Sequence, residues 1–598
     1  MNSRGGKVRV FQKPKNKKYV LKRLWDYLFK YKWLLLLAFL LTVFTNAFAL
    51  IGPKLLGYVI NELDPLKNGG IIDFNVVYKY SFIMVICYIL SSVLQYILSR
   101  LMMKISKKII FKMRKDAFNK LQILPVSYFD SNAIGDIISK MSYDIDTINN
   151  SLSSDLISIC TSIMTVIGSL IMMLTIAPLL VTVFIITIPI SLCFTRFMLK
   201  KTHKLFKKRS YMLGMLSGYN EEMITGVKTI KAYGREDVIT NEFKQINKEA
   251  VDAAYNAEYY GAITGPGVNL VNNLSLALIC IFGSILYVKG MLVLGDVSSF
   301  LQYSRKFSGP INEVANIFVD IQSALAAGER VFNLIDSEPE TKDNINAIEL
   351  KEVKGNVSFK NVSFGYTKEK EIIHNLSFDA LKGKAVAIVG PTGAGKTTIV
   401  NLLMRFYDID RGNIYLDSND IMNIKRNDLR KSYAMVLQDT WLFEGTVFEN
   451  LAYSDSSSEM RVTKEQVIEV CKIARIHNFI ERLPNGYDTV LTEGGTNISK
   501  GQKQLLTIAR AMLLNAHMLI LDEATSNVDT RTEIKIQESM KHLMKDKTCF
   551  IIAHRLSTIQ NADLILVVKD GNIIEQGNHQ ELLKKNGFYY ELYNSQFK

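Results

Sequence analysis

The chain has only six cysteines in 598 residues, and none is spaced for a metal site or a disulfide framework. Cys87, Cys160, Cys193 and Cys280 fall in apolar runs. Cys471 and Cys549 lie in the more polar second half. All six read as small buried apolar residues. Acids are nearly missing from the start: residues 1–32 hold eleven Lys and Arg against Asp26 alone. No short apolar core with a cleavage site follows this basic start, so it does not read as a signal peptide. A net charge of +15 could serve nucleic acid binding, but its distribution argues otherwise. Basic clusters sit beside apolar runs, while Asn61–Asn75 holds Glu62, Asp64 and Asp73 against Lys67. That asymmetry fits positive charge on cytoplasmic membrane loops, and no nucleic-acid partner is expected.

What the first half does contain is long apolar runs. A helix needs about 20 such residues to cross a bilayer. Spans are expected near Trp33–Ile60, Val77–Met103, Ser154–Ile176, Pro178–Leu199, Ile263–Val288 and Met291–Ile317. Ahead of them, Leu21, Leu24, Trp25 and Leu28 repeat at helical spacing among lysines and arginines, which suits an interfacial helix. The turns near Thr175–Pro178 and Lys289–Gly290 are tiny. Lys104–Ser153 and Lys200–Tyr260 are long, open on basic clusters and so belong in the cytoplasm. An even number of spans then puts both termini there too. The expected organisation is an N-terminal segment (1–32), a membrane domain (33–335), a polar linker (336–347) and an α/β domain (348–598).

The α/β domain carries the chemistry. Ala385–Val389 reads as a strand, followed by Gly390-Pro-Thr-Gly-Ala-Gly-Lys-Thr-Thr398 and a helical stretch, NLLMRFY. This is a phosphate-binding loop in its proper setting. Backbone N–H groups of Gly390, Thr392, Gly393, Gly395 and Thr398 would curl around phosphate oxygens at a helix N-terminus. Lys396 would reach the β- and γ-phosphates, and the Thr397 hydroxyl would hold Mg²⁺. Met518–Leu521 reads as an apolar strand ending on Asp522 and Glu523. Asp522 is placed to support Mg²⁺ and Glu523 to activate water, which is typically worth roughly 10²–10⁴-fold in rate.

With Ile498-Ser-Lys-Gly-Gln502 between them, these motifs resemble the ABC exporter half-transporters. The resemblance covers the whole chain. It implies a membrane α-helical bundle of six transmembrane helices fused to a P-loop α/β ABC ATPase domain, using ATP and Mg²⁺. It also implies that Gln438 (in VLQDTWLF) contacts Mg²⁺ and water, and that His554 (in IIAHRLST) sits near the γ-phosphate. Asp529 (in SNVD) would be the D-loop aspartate, and Tyr366 would stack on adenine. In this family two ATPase domains sandwich each ATP, and the signature loop, here Ser499, Gly501 and Gln502, serves the partner's nucleotide. Lys500 replaces the first glycine of the family's usual pair, a change expected to cost conformational freedom and add bulk. A heterodimer is therefore expected rather than a homodimer.

Tyr128-Phe129-Asp130 and Gly226–Lys231 are similar to the two intracellular loops of such exporters, each with a short transverse helix. Arg305, Lys306, Gly309, Pro310, Asn312 and Glu313 in the sixth span, with Asn269, Asn272 and Asn273 in the fifth, read as a polar path, as interhelical pairing, or as a stretch already near the interface. No protease domain is expected ahead of the spans, which argues against a peptide exporter that processes its own cargo; the resemblance implies a drug or lipid-like amphiphile as cargo, across a bacterial cell membrane. The alternative is an ATP-gated channel or regulatory subunit on the same fold.

Overall fold

The computed structural model describes residues 16–64, 72–437, 440–455, 462–522, 529–552 and 559–597. The chain divides into two compact units, Met1–Leu124 with Asn132–Glu338, and Pro125–Ser131 with Pro339–Lys598.

The first unit is helical. A short helix α1 (Lys17–Phe29) precedes the long helices α2 (Lys32–Glu62) and α3 (Phe74–Gln122). In the second unit lies α4 (Val126–Ser131). The first unit then continues with α5 (Ile134–Ile176), α6 (Pro178–Thr225), α7 (Val227–Ala232), α8 (Glu236–Val288) and α9 (Leu294–Ile335). The helices run far past the expected spans, because the charged segments between them are rich in helix formers and simply continue the spans. Among the described residues, α2, α3, α5, α6 and α8 are long and apolar enough to cross a membrane. The sixth expected span falls on α9, which Asp296, Arg305 and Lys306 make too polar to qualify on composition alone. In α1, Val20, Tyr27 and Leu28 are buried, while Leu21, Trp25 and Phe29 form an exposed apolar stripe at i, i+4, i+8. Tyr19 and Arg23 tie this helix to Asp336 at the end of α9.

Prolines and glycines govern the seam between α2 and α9. Pro53 has no N–H, so the Ala49 carbonyl four residues earlier loses its helical donor. The Lys306 ammonium supplies one at 2.9 Å. Tyr303 and Ser299 add hydroxyl donors to the Leu50 and Pro53 carbonyls, at 2.5 and 2.9 Å. Further along, the backbones meet: a Cβ on Gly295 would lie 1.9 Å from the Gly57 carbonyl oxygen. The Gly295 N–H donates to Asn61 Oδ1 at 2.7 Å. At the other end of α9, Arg330 grips the buried Asp144 of α5 through two bonds of 2.8 and 2.7 Å.

Among its described residues the second unit carries twelve strands. Strands β1 (Val357–Phe364), β2 (Ile373–Ala380), β4 (Arg411–Leu416) and β5 (Asn419–Asp420) form an antiparallel sheet in the order β2-β1-β4-β5. The main sheet joins β3 (Ala385–Val389), β6 (Tyr433–Val436), β9 (Met518–Asp522), β10 (Thr548–Ile552), β11 (Leu564–Lys569) and β12 (Asn572–Gly577) in the order β12-β11-β3-β10-β9-β6. Only β12 is antiparallel within it; a small ribbon pairs β7 (Gly445–Thr446) with β8 (Val490–Leu491). The central parallel strands are apolar on both faces and almost wholly buried, as parallel strands between covering layers must be. The expected linker is less free than its composition suggests. Glu340 pairs with Arg430, and Asp343 accepts from the Arg426 N–H.

The cysteines depart from expectation in part. Cys87, Cys471 and Cys549 are buried, but Cys193 and Cys280 are exposed on membrane helices. Burial pushes the Cys549 thiol up to about 12 and Cys471 up to about 11, so maleimide at pH 7–8 should leave both unlabelled until the protein is denatured. At the α2–α9 crossing, Gly295→Val should lower stability by about 1–3 kcal/mol through overpacking, read as an earlier unfolding midpoint in detergent.

Candidate active site

Parallel register gathers the expected site residues. Ile388 of β3 pairs with Ile552 of β10, Ile552 with Asp522 of β9, and Leu521 with Val436 of β6. These strands therefore end on one edge, where ligands bind in open α/β sheets. Gln438, Glu523 and His554 lie outside the described residues. In sequence each follows the end of one of these strands, Val436, Asp522 and Ile552, by one or two positions.

After Val389 the chain turns through the glycine-rich loop into α10 (Lys396–Leu403). Gly395 stands at φ 102°, a left-handed conformation that only glycine adopts cheaply. A side chain on Gly390 would collide with the Val568 carbonyl oxygen, 2.1 Å from its Cβ. The first intrahelical bond of α10 runs from the Ile399 N–H to the Gly395 carbonyl. The N–H groups of Lys396, Thr397 and Thr398 thus have no intrahelical acceptor and face the helix mouth. That is a cradle for anionic oxygens. The Lys396 ammonium bridges the Gly390 and Pro391 carbonyls at 2.7 and 3.0 Å. Burial lowers its pKa, against a smaller opposing pull from the Asp522 carboxylate. A phosphate would restore the charge that burial disfavours.

Tyr366 is half-exposed, with its hydroxyl 3.2 Å from Thr398 Oγ1 and accepting from Asn401 at 3.2 Å. Its ring meets Tyr407 edge-on, 4.9 Å between centroids. Tyr407 in turn donates to Asp130 of α4 at 2.5 Å. Burial first, and that hydrogen bond second, hold its phenol well above the usual tyrosine range. Sequence reasoning missed Tyr407, although it closes the NLLMRFY stretch; nothing local marks a tyrosine whose partner lies 277 positions away.

The signature residues open α11 (Lys500–Leu514). Ser499 is its N-cap: its hydroxyl accepts from the Gln502 N–H at 3.3 Å, and Gln502 Oε1 accepts from the Ser499 N–H at 2.8 Å. This reciprocal capping box satisfies two donors at the helix start. Lys500 is the first helical residue and is exposed, with Gly501 buried behind it. The conformational freedom lost at Lys500 is not needed for this backbone, because the position is plainly helical. What lysine adds there is bulk and charge. Among the described residues, no hydrogen bond or ion pair joins Ser499–Gln502 to the phosphate loop of the same chain. Asp529 caps α12 (Thr530–Met544), accepting from the Thr532 N–H at 3.0 Å. That bond lowers its pKa.

Comparison with known proteins decides the family. Residues 35–311 match the ABC transporter transmembrane region and residues 373–526 the ABC transporter ATPase model. An uncharacterized ABC transporter ATP-binding protein of Bacillus subtilis (strain 168) is 41% identical over 99% of this chain and 96% of its own length. The chain belongs to the ABC transporter family. The transporter is also 41% identical to a fatty acid ABC transporter ATP-binding/permease protein of Mycobacterium bovis, over 80% of this chain and 75% of that one. An ATP-dependent lipid A-core flippase of Photorhabdus laumondii is 36% identical over 80% and 82%. A bacterial Atm1-family ABC exporter solved with ATP bound superposes at a TM-score of 0.74, 29% identical, covering 95% and 98%. The transporter is thus a membrane helical bundle fused to an ABC ATPase that couples ATP hydrolysis to export, and such exporters work as dimers.

The docking of α4 gives a structural prediction. Tyr407→Phe removes the hydrogen bond to Asp130 and keeps the ring. Amide hydrogen exchange in residues 125–131 should rise by about three- to tenfold, the range of a hydrogen bond worth roughly 0.5–1.5 kcal/mol, with the central strands unchanged.

Proposed function

We propose that the transporter exports a lipid-like amphiphile by alternating access, as one half of a heterodimer, with both termini and the ATPase domain in the cytoplasm. One observation carries the nucleotide roles: the phosphate loop and Asp522 share one edge of the parallel sheet. ATP would lie in the cradle of Gly390, Thr392, Gly393, Gly395 and Thr398, with Lys396 on its β- and γ-phosphates and Tyr366 against adenine. Thr397, Asp522 and Gln438 are of the oxygen-donor type that Mg²⁺ takes. Glu523 would activate the attacking water, His554 would contact the γ-phosphate, and Asp529 would serve the dimer contact. Closure over ATP would act on the membrane domain through α4 and through α7, which the family resemblance docks on the partner.

The lipid-like cargo is supported by relatives named for fatty acid and lipid A-core transport. The heterodimer rests on the Lys500 side chain: it would crowd the partner's γ-phosphate, so the second site would bind ATP and turn it over slowly. Glu523→Gln should cut ATP turnover by at least about 10²-fold; substantial remaining hydrolysis would remove Glu523 as the main base. Purified alone, the chain should give weak ATPase activity that a co-purified second subunit restores. A fully active homodimer would refute the asymmetric reading. ATP-dependent, concentrative uptake of a lipid-like probe into inside-out vesicles separates the exporter from a channel, which would stop at equal concentrations.

A further inference from the structure

Arg305 and Lys306 are neighbours in the first third of α9, yet the structure treats them differently. Both lie within the matched transmembrane region. Arg305 is eleven residues beyond Leu294, where the helix starts after its turn from α8. At about 1.5 Å per residue that is roughly 16 Å, close to the middle of a hydrocarbon core ~30 Å thick. A cation at that depth is costly unless something answers it. Lys306 is answered by the carbonyl that Pro53 leaves free. Arg305 is exposed and makes no ion pair or hydrogen bond among the described residues.

No carboxylate of the other spans is available to it. Within this chain, residues 33–60, 77–103, 156–176, 178–199 and 263–288 contain no Asp or Glu. Glu313 lies eight residues further along α9, roughly 12 Å along the axis. Nor does Arg305 face the bundle. Phe300, Tyr303 and Phe307 bury the opposite side of α9, leaving Gln302, Arg305 and Gly309 on the face turned away. That face is polar, whereas the lipid-suited faces of α3 and α6 expose Phe82, Ile185 and Ile186. One turn along, Ser308 lines a small cavity with Thr187, Ser191, Asn272 and Ser275.

We infer that Arg305 is an anion-binding point on the cargo path, receiving the carboxylate or phosphate head of an amphiphile on the polar face of α9. The inference rests on the export reading above and narrows it to anionic amphiphiles. A planar guanidinium bonds either head group with two parallel N–H donors, and a permanent charge with no counter-charge among the described residues of this chain is balanced each time such a head group arrives. Lys306, held on the Ala49 carbonyl, keeps α9 against α2 and so sets where Arg305 stands.

The test uses full-length transporter in liposomes, with its partner subunit if one is required. Stimulation of ATP hydrolysis is measured with oleate, oleoyl lysophosphatidate, oleyl alcohol and an oleyl trimethylammonium. Wild type should reach half-maximal stimulation at an anion concentration about tenfold or more below that for the alcohol. Arg305→Gln should bring that ratio close to one, and Arg305→Lys should keep most of it. The ratio is internal to each variant, so a partly misfolded preparation does not move it. A response to oleate alone, to lysophosphatidate alone, or to both supports the site and identifies the head group. A preference that survives in Arg305→Gln overturns the inference. So does a wild type that answers the alcohol or the ammonium as well as the anions, although the export reading then stands. If no amphiphile of any charge stimulates hydrolysis, both fall.

Discussion

The parallel register of β3, β10, β9 and β6 sets Val389, Ile552, Asp522 and Val436 on one edge of a buried sheet. The rest of the ATPase unit depends on that alignment. Hydrogen bonds between strands fix the heights of their ends to within a residue, because a slip of one would turn every side chain to the wrong face. A glycine-rich turn following one strand and an aspartate closing another thereby become parts of a single site. The turn itself is held by packing: Gly390 passes too close to the Val568 carbonyl for any side chain, so strand β11, far along the sequence, helps shape the phosphate cradle.

In the membrane unit the governing constraint is the cost of an unanswered polar group. Pro53 creates one, the Ala49 carbonyl, and Lys306 of α9 answers it, while Tyr303 and Ser299 donate to the neighbouring Leu50 and Pro53 carbonyls. Beyond this point Gly57 and Gly295 allow backbone contact, as small residues do where helices must approach closely in a bilayer. Together these contacts make α2 and α9 one seam. Arg305 stands on the other side of α9 and gains nothing from it.

A third link runs from α4 to the glycine-rich turn. Asp130, Tyr407, Tyr366 and Thr398 form a continuous run of hydrogen bonds and ring contacts within one unit. The helix α4 belongs to the membrane half by sequence and to the ATPase unit by contact.

Much of this is legible in the amino-acid sequence itself. The phosphate loop can be read because its chemistry is local: glycines where backbone must curl, a lysine and threonines at a helix start. The spans can be read because bilayer thickness sets a length that apolar runs either meet or miss. Lys500 shows where such reading stops, since its backbone is helical and the glycine it replaces was not needed for its conformation. Tyr407 shows it again, because its partner is distant in sequence. The plainest case is the pair Arg305-Lys306. By composition they are two adjacent cations in one span. About 100° of helical rotation separates them, enough to place one against a carbonyl stripped of its donor and the other on an open polar face. The sequence alone determined that two cations stand side by side in an apolar stretch matched to the transmembrane region. Only the packing of α9 on α2 decided which of them the protein satisfies, because that depends on what each side of the helix meets.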